Sequence, residues 1–175
     1  MKWLDELKKK VQADIFSIES EHLKTYGKDH TEDLVFLPDV VARPSTAEEV
    51  AQILAFCTAN RIPVTPRGAG TGLSGGSLPI HGGISLSMEK FNRVLHIDEE
   101  NFQATVESGV INEQFQQAVK EKDLFYPPDP ASKGSCFLGG NIAHSSGGPK
   151  ALKYGTTKDY VLNLEVVLPT GEIIW

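Results

Sequence analysis

The sequence of 175 residues is poor in the residues that would staple it or carry it through a membrane: two cysteines, two methionines, two tryptophans and no long apolar run. Cys57 and Cys136 stand far apart and in no CxxC pair, and the five histidines show no metal-ligand spacing. A disulfide framework or a structural zinc site is therefore not expected, and both thiols should be free in a reducing compartment. Positive charge is also short, since 17 Lys and Arg against 23 Asp and Glu leave a net charge of −6. That balance argues against nucleic acid as the main partner. The opening residues MKWLDELKKKVQADIF mix both signs and hold no continuous apolar stretch. Neither a signal peptide nor a membrane span is expected there, which points to the cytoplasm.

Glycine is what the chain has in quantity. Five of the eleven residues in Pro66–Gly76, PRGAGTGLSGG, are glycine, directly after an apolar run at Ile62–Thr65 that suits a strand. With so few side chains, the backbone is what this stretch can offer. Glycines at 68, 70, 72, 75 and 76 permit positive φ and close approach, so successive N–H groups can turn inward as a nest for an anion such as a pyrophosphate. Arg67 is expected to add a positive charge at the rim, and a valine at Gly70 to block the ligand with little loss of folding. Residues 70–75 match GxGxxG literally, but the following SLPIHGGISLSM starts no helix, and no glycine precedes Lys and Ser or Thr as in a P-loop. The stretch reads as a strand–loop–strand cradle; the bland alternative is a flexible linker.

The remaining chain is ordinary for a soluble globular protein, with 40% apolar and 23% charged residues. Trp3, Leu4, Leu7 and Val11 recur at helical spacing, and a second helical piece is expected near Glu19–Lys24. Val35–Leu37 and Val40–Ala42 read as short strands around Pro38. Ser45, with Glu48 as reciprocal partner, is expected to cap a helix whose stripe is Val50, Ile53, Leu54 and Cys57. With the strand at Val64 this makes a βαβ unit, and the cradle falls at the C-terminal end of its second strand, where ligands bind in such sheets. Ile84–Met88, Arg93–Ile97 and Phe102–Glu107 alternate as consecutive strands. Asn112 is expected to cap a helix with Phe115, Ala118 and Val119 inward, followed by the stiff PPDP at 127–130. A second glycine region, GGNIAHSSGG at 139–148, could open a helical turn with free N–H groups, helped by Ser145 and Ser146 hydroxyls and by Lys133, Lys150, Lys153 and Lys158 nearby. His144 beside it is either a ligand contact or structural. A strand over Val161–Leu168 and the start of another at Ile173–Trp175 leave the expectation of a chain that stops inside a hairpin.

PRGAGTGLSGG, PPDPAS, GGNIA and YGTTKDYV, in this order and at these intervals, resemble the flavin-binding domain of the vanillyl-alcohol oxidase and p-cresol methylhydroxylase family. Within it, the pattern is most similar to the branch that contains glycolate oxidase, D-lactate dehydrogenase and D-2-hydroxyglutarate dehydrogenase. The resemblance implies an α+β, p-cresol-methylhydroxylase-type domain of two α/β subdomains that hold FAD: a helical segment at 1–34, then a domain at 35–175 divided into 35–107 and an incomplete 108–175. Carried over by motif, Pro66, Arg67, Gly68, Ala69, Gly70, Thr71, Gly72, Ser74, Gly75 and Gly76 would wrap the pyrophosphate. Pro130 and Ser132 would lie near the flavin ring, Gly139, Gly140, Ala143 and Ser145 would continue the cradle, and Gly155 and Val161 would add backbone contacts. Some relatives bond flavin to a histidine four residues after the loop arginine; Thr71 stands there in this chain, so FAD is expected to be non-covalent. His144-Ser145-Ser146 departs from the Thr-Asn-Ala of close relatives.

The implied reaction is oxidation of a 2-hydroxy acid by hydride transfer to flavin N5, with electrons leaving to a quinone or an electron-transfer subunit. The implied substrate groups lie on a downstream domain, so the chain alone is expected to be inactive. Attachment to the inner face of a membrane through partners is one implied arrangement. The alternative is a non-catalytic flavin- or nucleotide-binding module that acts with a partner subunit.

Overall fold

The apolar stripe near the N-terminus folds as helix α1 (Lys2–Leu7) in the computed structural model, which describes every residue from Met1 to Trp175. Leu4 and Leu7 are buried on it, the chain beyond its end buries Val11, and Trp3 stays half-buried. These residues belong to the first of two units, Met1–Lys90 with Asn163–Trp175; the second is Phe91–Leu162. The border expected after residue 107 therefore falls after Lys90, and the last thirteen residues return to the first unit. Strand pairing explains the displacement, because the two strands between 94 and 106 form a two-stranded sheet of their own.

That sheet has four strands, β1 (Phe16–Ser17), β2 (Val40–Ala42), β3 (Val64–Arg67) and β4 (Ile84–Ser87), in the order β1-β2-β4-β3. β1 runs antiparallel to β2, while β2 and β3 flank β4 and are both parallel to it. The βαβ unit is present with β4 inserted between its strands. β4 is buried at all four residues, Ser85 and Ser87 included, as suits a central parallel strand covered on both faces. β3 is an edge strand, so Pro66, with no N–H to donate, is tolerated within it.

Helix α2 (Ser20–Tyr26) precedes β2, and helix α3 (Ala47–Asn60) crosses from β2 to β3. The cap of α3 is Thr46 and not Ser45: Thr46 Oγ1 accepts the Glu49 N–H at 3.2 Å, and the Glu49 carboxylate accepts the Thr46 N–H. Ser45 also donates to Glu49, through its N–H at 2.6 Å, so adjacent Ser and Thr share one glutamate. Val50, Ile53, Phe56 and Cys57 are buried on α3; Leu54, expected inward, is half-buried, and Phe56 fills that part of the face. Burial pushes the Cys57 thiol up to about 11, which makes it an unreactive core residue. Val35–Leu37 form no strand, because the Phe36 N–H donates to Gly27 O at 2.8 Å, and all three side chains are exposed.

In the second unit, β5 (Val94–Asp98) and β6 (Gln103–Val106) form an antiparallel hairpin of their own. Helices α4 (Asn112–Lys120), α5 (Leu138–His144) and α6 (Ala151–Tyr154) follow. Val110, Phe115, Val119 and Leu138 are its core, with Val94, Ile97, Val106, Leu124 and Tyr126 packed against them. Phe115 and Tyr126 meet edge to face at 4.9 Å, an arrangement that adds about 0.5–1.5 kcal/mol beyond area burial. Ala118 is only half-buried. Asn112 is the first residue of α4 and not its cap. It is fully buried, donates to Pro128 O at 3.2 Å and accepts from Asn141 Nδ2 at 3.0 Å, tying α4 to the proline segment and to α5.

The strand expected over 161–168 is confined to β7 (Val166–Val167), since the Leu164 N–H goes to the neighbouring Asn163 side chain. β7 pairs with β8 (Ile173–Ile174), and Thr58 Oγ1 of α3 donates to Pro169 O in the turn between them at 2.5 Å. No helix is long and apolar enough to cross a membrane.

Candidate functional site

Residues 68–83 join β3 to β4, two neighbouring parallel strands, without a helix. β3 ends at Arg67, whose carbonyl accepts the Met88 N–H at 3.0 Å, and the glycine stretch begins there. Gly70 and Gly75 take φ +72° and +69°, which only glycine adopts without cost. The N–H groups of Gly68, Ala69, Gly70, Thr71 and Gly72 donate to no acceptor in the chain, and these residues are partly open to solvent. Five successive unspent donors in a half-exposed loop form a surface suited to an anion. Pro66 and Ser74 are exposed beside it, and Gly76 is exposed past its end.

Arg67 is not at the rim. It is 7% exposed, with Nη1 donating to Tyr26 O at 3.3 Å and Nη2 to Thr25 O at 3.4 Å, and its guanidinium lies 5.2 Å from the centre of the Tyr26 ring. Burial pushes its pKa below the ordinary guanidinium value. The reason for this placement is alternation: as the last residue of β3, Arg67 points to the covered face, and the carbonyls ending α2 supply acceptors there. Tyr26 itself donates to Glu89, and burial, then that carboxylate, push its pKa up to about 12. A Cβ built on Gly70 would overlap Arg67 Nη2 and stand 2.8 Å from Cζ, so glycine at 70 makes room for the arginine as well as for a ligand. Valine there would meet both the Arg67 guanidinium and a positive φ, so a cost to the fold is expected beside the loss of the ligand surface.

Segment Asp29–Thr31 carries no motif, yet it meets the loop at three points. The His30 N–H donates to Gly72 O at 3.1 Å, the Gly75 N–H to Thr31 Oγ1 at 2.8 Å, and Ser77 Oγ to Asp29 Oδ2 at 3.3 Å. Asp29 Oδ1 also accepts the Thr31 N–H at 2.8 Å, an Asx turn. The pattern Asp-His-Thr signals such a turn locally; its partners more than forty residues away carry no sequence signal.

In the second unit the glycine pair divides its labour. Gly139 donates to Ser108 O at 2.7 Å, and a Cβ on it would press on Ser108 at 2.8 Å, so Gly139 is a packing glycine with a spent amide. Around Gly140 a Cβ would meet nothing within 4 Å, and its N–H has no acceptor in the chain. Gly140 alone in the first turn of α5 is open for close approach, because Leu138 N and Asn141 N are also engaged. Ser145 caps α5 at φ +48°, with its hydroxyl bonded to Thr156 Oγ1 at 2.9 Å, and Ser146 contributes its carbonyl to Thr157 Oγ1 at 2.7 Å. Ser145 is therefore not the free donor expected. Ala143 and His144 lie at the solvent side of α5.

Gly155, at φ +85°, accommodates Asp159, whose Oδ2 accepts the Thr156 N–H at 2.7 Å; Val161 closes that turn. Pro130 O accepts the Lys133 N–H and Ser132 O the Ser135 and Cys136 N–H groups, so the segment after PPDP is a tight turn. The lysine cluster is partly internal: Lys133 and Lys150 both pair with Asp129, at 3.0 and 3.2 Å, and together hold its carboxyl below the usual range. No group of three or more His, Cys, Asp or Glu side chains is placed to hold a metal ion.

The first unit thus carries a run of five unspent amides at Gly68–Gly72, and the second carries one open amide in the first turn of α5, that of Gly140. A family model described as FAD binding domain matches residues 38–175. The chain is 48% identical over 149 residues to glycolate oxidase subunit GlcD of Bacillus subtilis (strain 168), covering 85% of this chain and 32% of that protein. It is 47% identical over 137 residues to D-lactate dehydrogenase of Anaerostipes hadrus, covering 78% of this chain and 29% of that protein. Among solved structures, p-cresol methylhydroxylase with substrate bound aligns with a TM-score of 0.83 at 25% identity, over 99% of this chain and 34% of that one. The chain spans about a third of the length of the curated relatives it matches.

Proposed function

The chain belongs to the FAD binding domain family, and on that premise we propose that it is the flavin-holding part of an oxidoreductase for 2-hydroxy acids of the glycolate or D-lactate type. The observation that carries the reading is the run of unspent amides at Gly68–Gly72, which fits a diphosphate and has no other use in the chain. In the first unit those amides would hold the pyrophosphate, with Pro66, Ser74, Gly75 and Gly76 shaping the loop and Arg67 braced behind it. In the second unit the Gly140 N–H would be the close-approach donor. Pro130, Ser132, Gly139, Ala143, Ser145, Gly155 and Val161 would frame that surface, mostly through backbone.

Thr71 offers no imidazole for a covalent bond to flavin, so FAD would be held by non-covalent contacts alone. When bound, the flavin supplies the acceptor for the two electrons of hydroxy-acid oxidation; the protein's share is to bind, orient and shield it. We place the groups that grip the substrate carboxylate, and any electron-transfer subunit, outside these residues.

Titration of the purified chain with FAD, followed by flavin fluorescence, tests the reading. Saturable binding of a flavin that acid releases intact is expected, with no turnover of glycolate or D-lactate in the presence of a dye acceptor. A folded chain that binds no flavin would overturn it.

A further inference from the structure

We infer that Asp29–Thr31 is a strap that sets the conformation of the glycine loop, and that Thr31 is a positioning residue for the loop's ligand, acting through Gly75. The inference rests on the proposed flavin reading for its ligand, but the strap itself stands on geometry. The segment lies before residue 38, outside the part of the chain that the family model covers. It bonds to the loop from three successive residues: Asp29 through its carboxylate to Ser77, His30 through its N–H to Gly72 O, and Thr31 through its hydroxyl to the Gly75 N–H.

The consequence follows from what each bond removes. Gly72 O and Gly75 N bracket the approach to the left-handed turn at Gly75, so binding both to one short segment limits how far residues 72–75 can swing. The same bonds occupy the Gly75 donor and leave the donors of Gly68–Gly72 unspent. Glycine has the largest conformational freedom to lose on ordering, and a loop already ordered before the ligand arrives avoids that cost at binding. Upstream, Thr25 and Tyr26 at the end of α2 receive the Arg67 guanidinium, so the loop is held both at its start and past its middle by the same stretch of chain.

Thr31→Val keeps the shape and removes the acceptor; Thr31→Ser keeps the acceptor. In the full chain, we expect Thr31→Val to raise amide hydrogen exchange at Gly75 and at Leu78, whose N–H donates to Gly75 O at 3.1 Å, with β2 and β4 amides unchanged, and to weaken FAD binding about 5- to 10-fold, the scale of one lost hydrogen bond. Thr31→Ser should restore both. Ser77→Ala cuts the strap from the loop side and should raise exchange in the same residues, which keeps the test intact if Thr31→Val folds poorly. Loop exchange and FAD affinity both unchanged in Thr31→Val, or unrestored in Thr31→Ser, would overturn the strap. If the wild-type chain binds no FAD, the flavin reading fails by itself, and the exchange comparison still decides whether the strap orders the loop.

Discussion

Gly70→Ala is the perturbation whose size the structure determines most closely. Alanine at φ +72° pays for the left-handed region, about 1–2 kcal/mol. Its Cβ also overlaps the Arg67 guanidinium, which must move away from the Thr25 and Tyr26 carbonyls it reaches at 3.4 and 3.3 Å. A charged hydrogen bond is worth about 1.5–3 kcal/mol, and both are long, so the pair is taken together at the low end. The smaller unfolded-state entropy of alanine returns about 0.4–1 kcal/mol. The net loss is then roughly 1.5–3 kcal/mol, a large share of the ~5–15 kcal/mol that holds a domain together.

Urea unfolding of the variant should show that loss as a lower midpoint with an unchanged slope. The decisive arm is a double-mutant cycle with Arg67→Met. Once the guanidinium is gone, Gly70→Ala should cost only the φ component, leaving a coupling of at least about 1 kcal/mol between the two positions. If the two substitutions add within about 0.5 kcal/mol, the closeness of Arg67 is not why residue 70 is glycine, and the reasoning fails.

Gly140→Ala should behave oppositely. With nothing within 4 Å of its Cβ, alanine inside α5 should stabilise the fold by about 0.5–1 kcal/mol by thermal unfolding, yet weaken FAD binding; equal affinity would remove Gly140 from the site. Asp129 is held below its ordinary value of 3.8 by Lys133 and Lys150, so its contribution is present above that value and is lost as pH falls through the lower folded-state value. Asp129→Asn should therefore unfold at less urea than wild type near neutrality, with the two curves converging in acid; a gap that persists in acid would refute the ionic origin. Tyr26 is pushed up from 10.0 to about 12, so the unfolded chain releases its proton first and stability falls as pH rises between those values. Tyr26→Phe should flatten that alkaline loss in urea unfolding repeated across the same pH range, and an unchanged slope would place the loss elsewhere.

Much of this was legible in the sequence because it depends on local chemistry. The cradle at Pro66–Gly76 is visible since only glycine supplies positive φ and close approach, and the absence of a helix start after it distinguishes it from a dinucleotide turn. Helix α3 is visible from its apolar period, although neighbouring Ser45 and Thr46 are chemically alike as caps and only the built helix chooses between them. The tertiary structure decided what depends on partners distant in the chain. β4 sits between β2 and β3; Arg67 turns away from the rim to the carbonyls of α2; Gly139 is spent on Ser108 while Gly140 stays open; and Asp29–Thr31 crosses to the loop. A sequence shows which backbone can bend and which donors exist. Which donors are left over for a ligand is known only after every other donor has found its acceptor, and those acceptors lie across the fold.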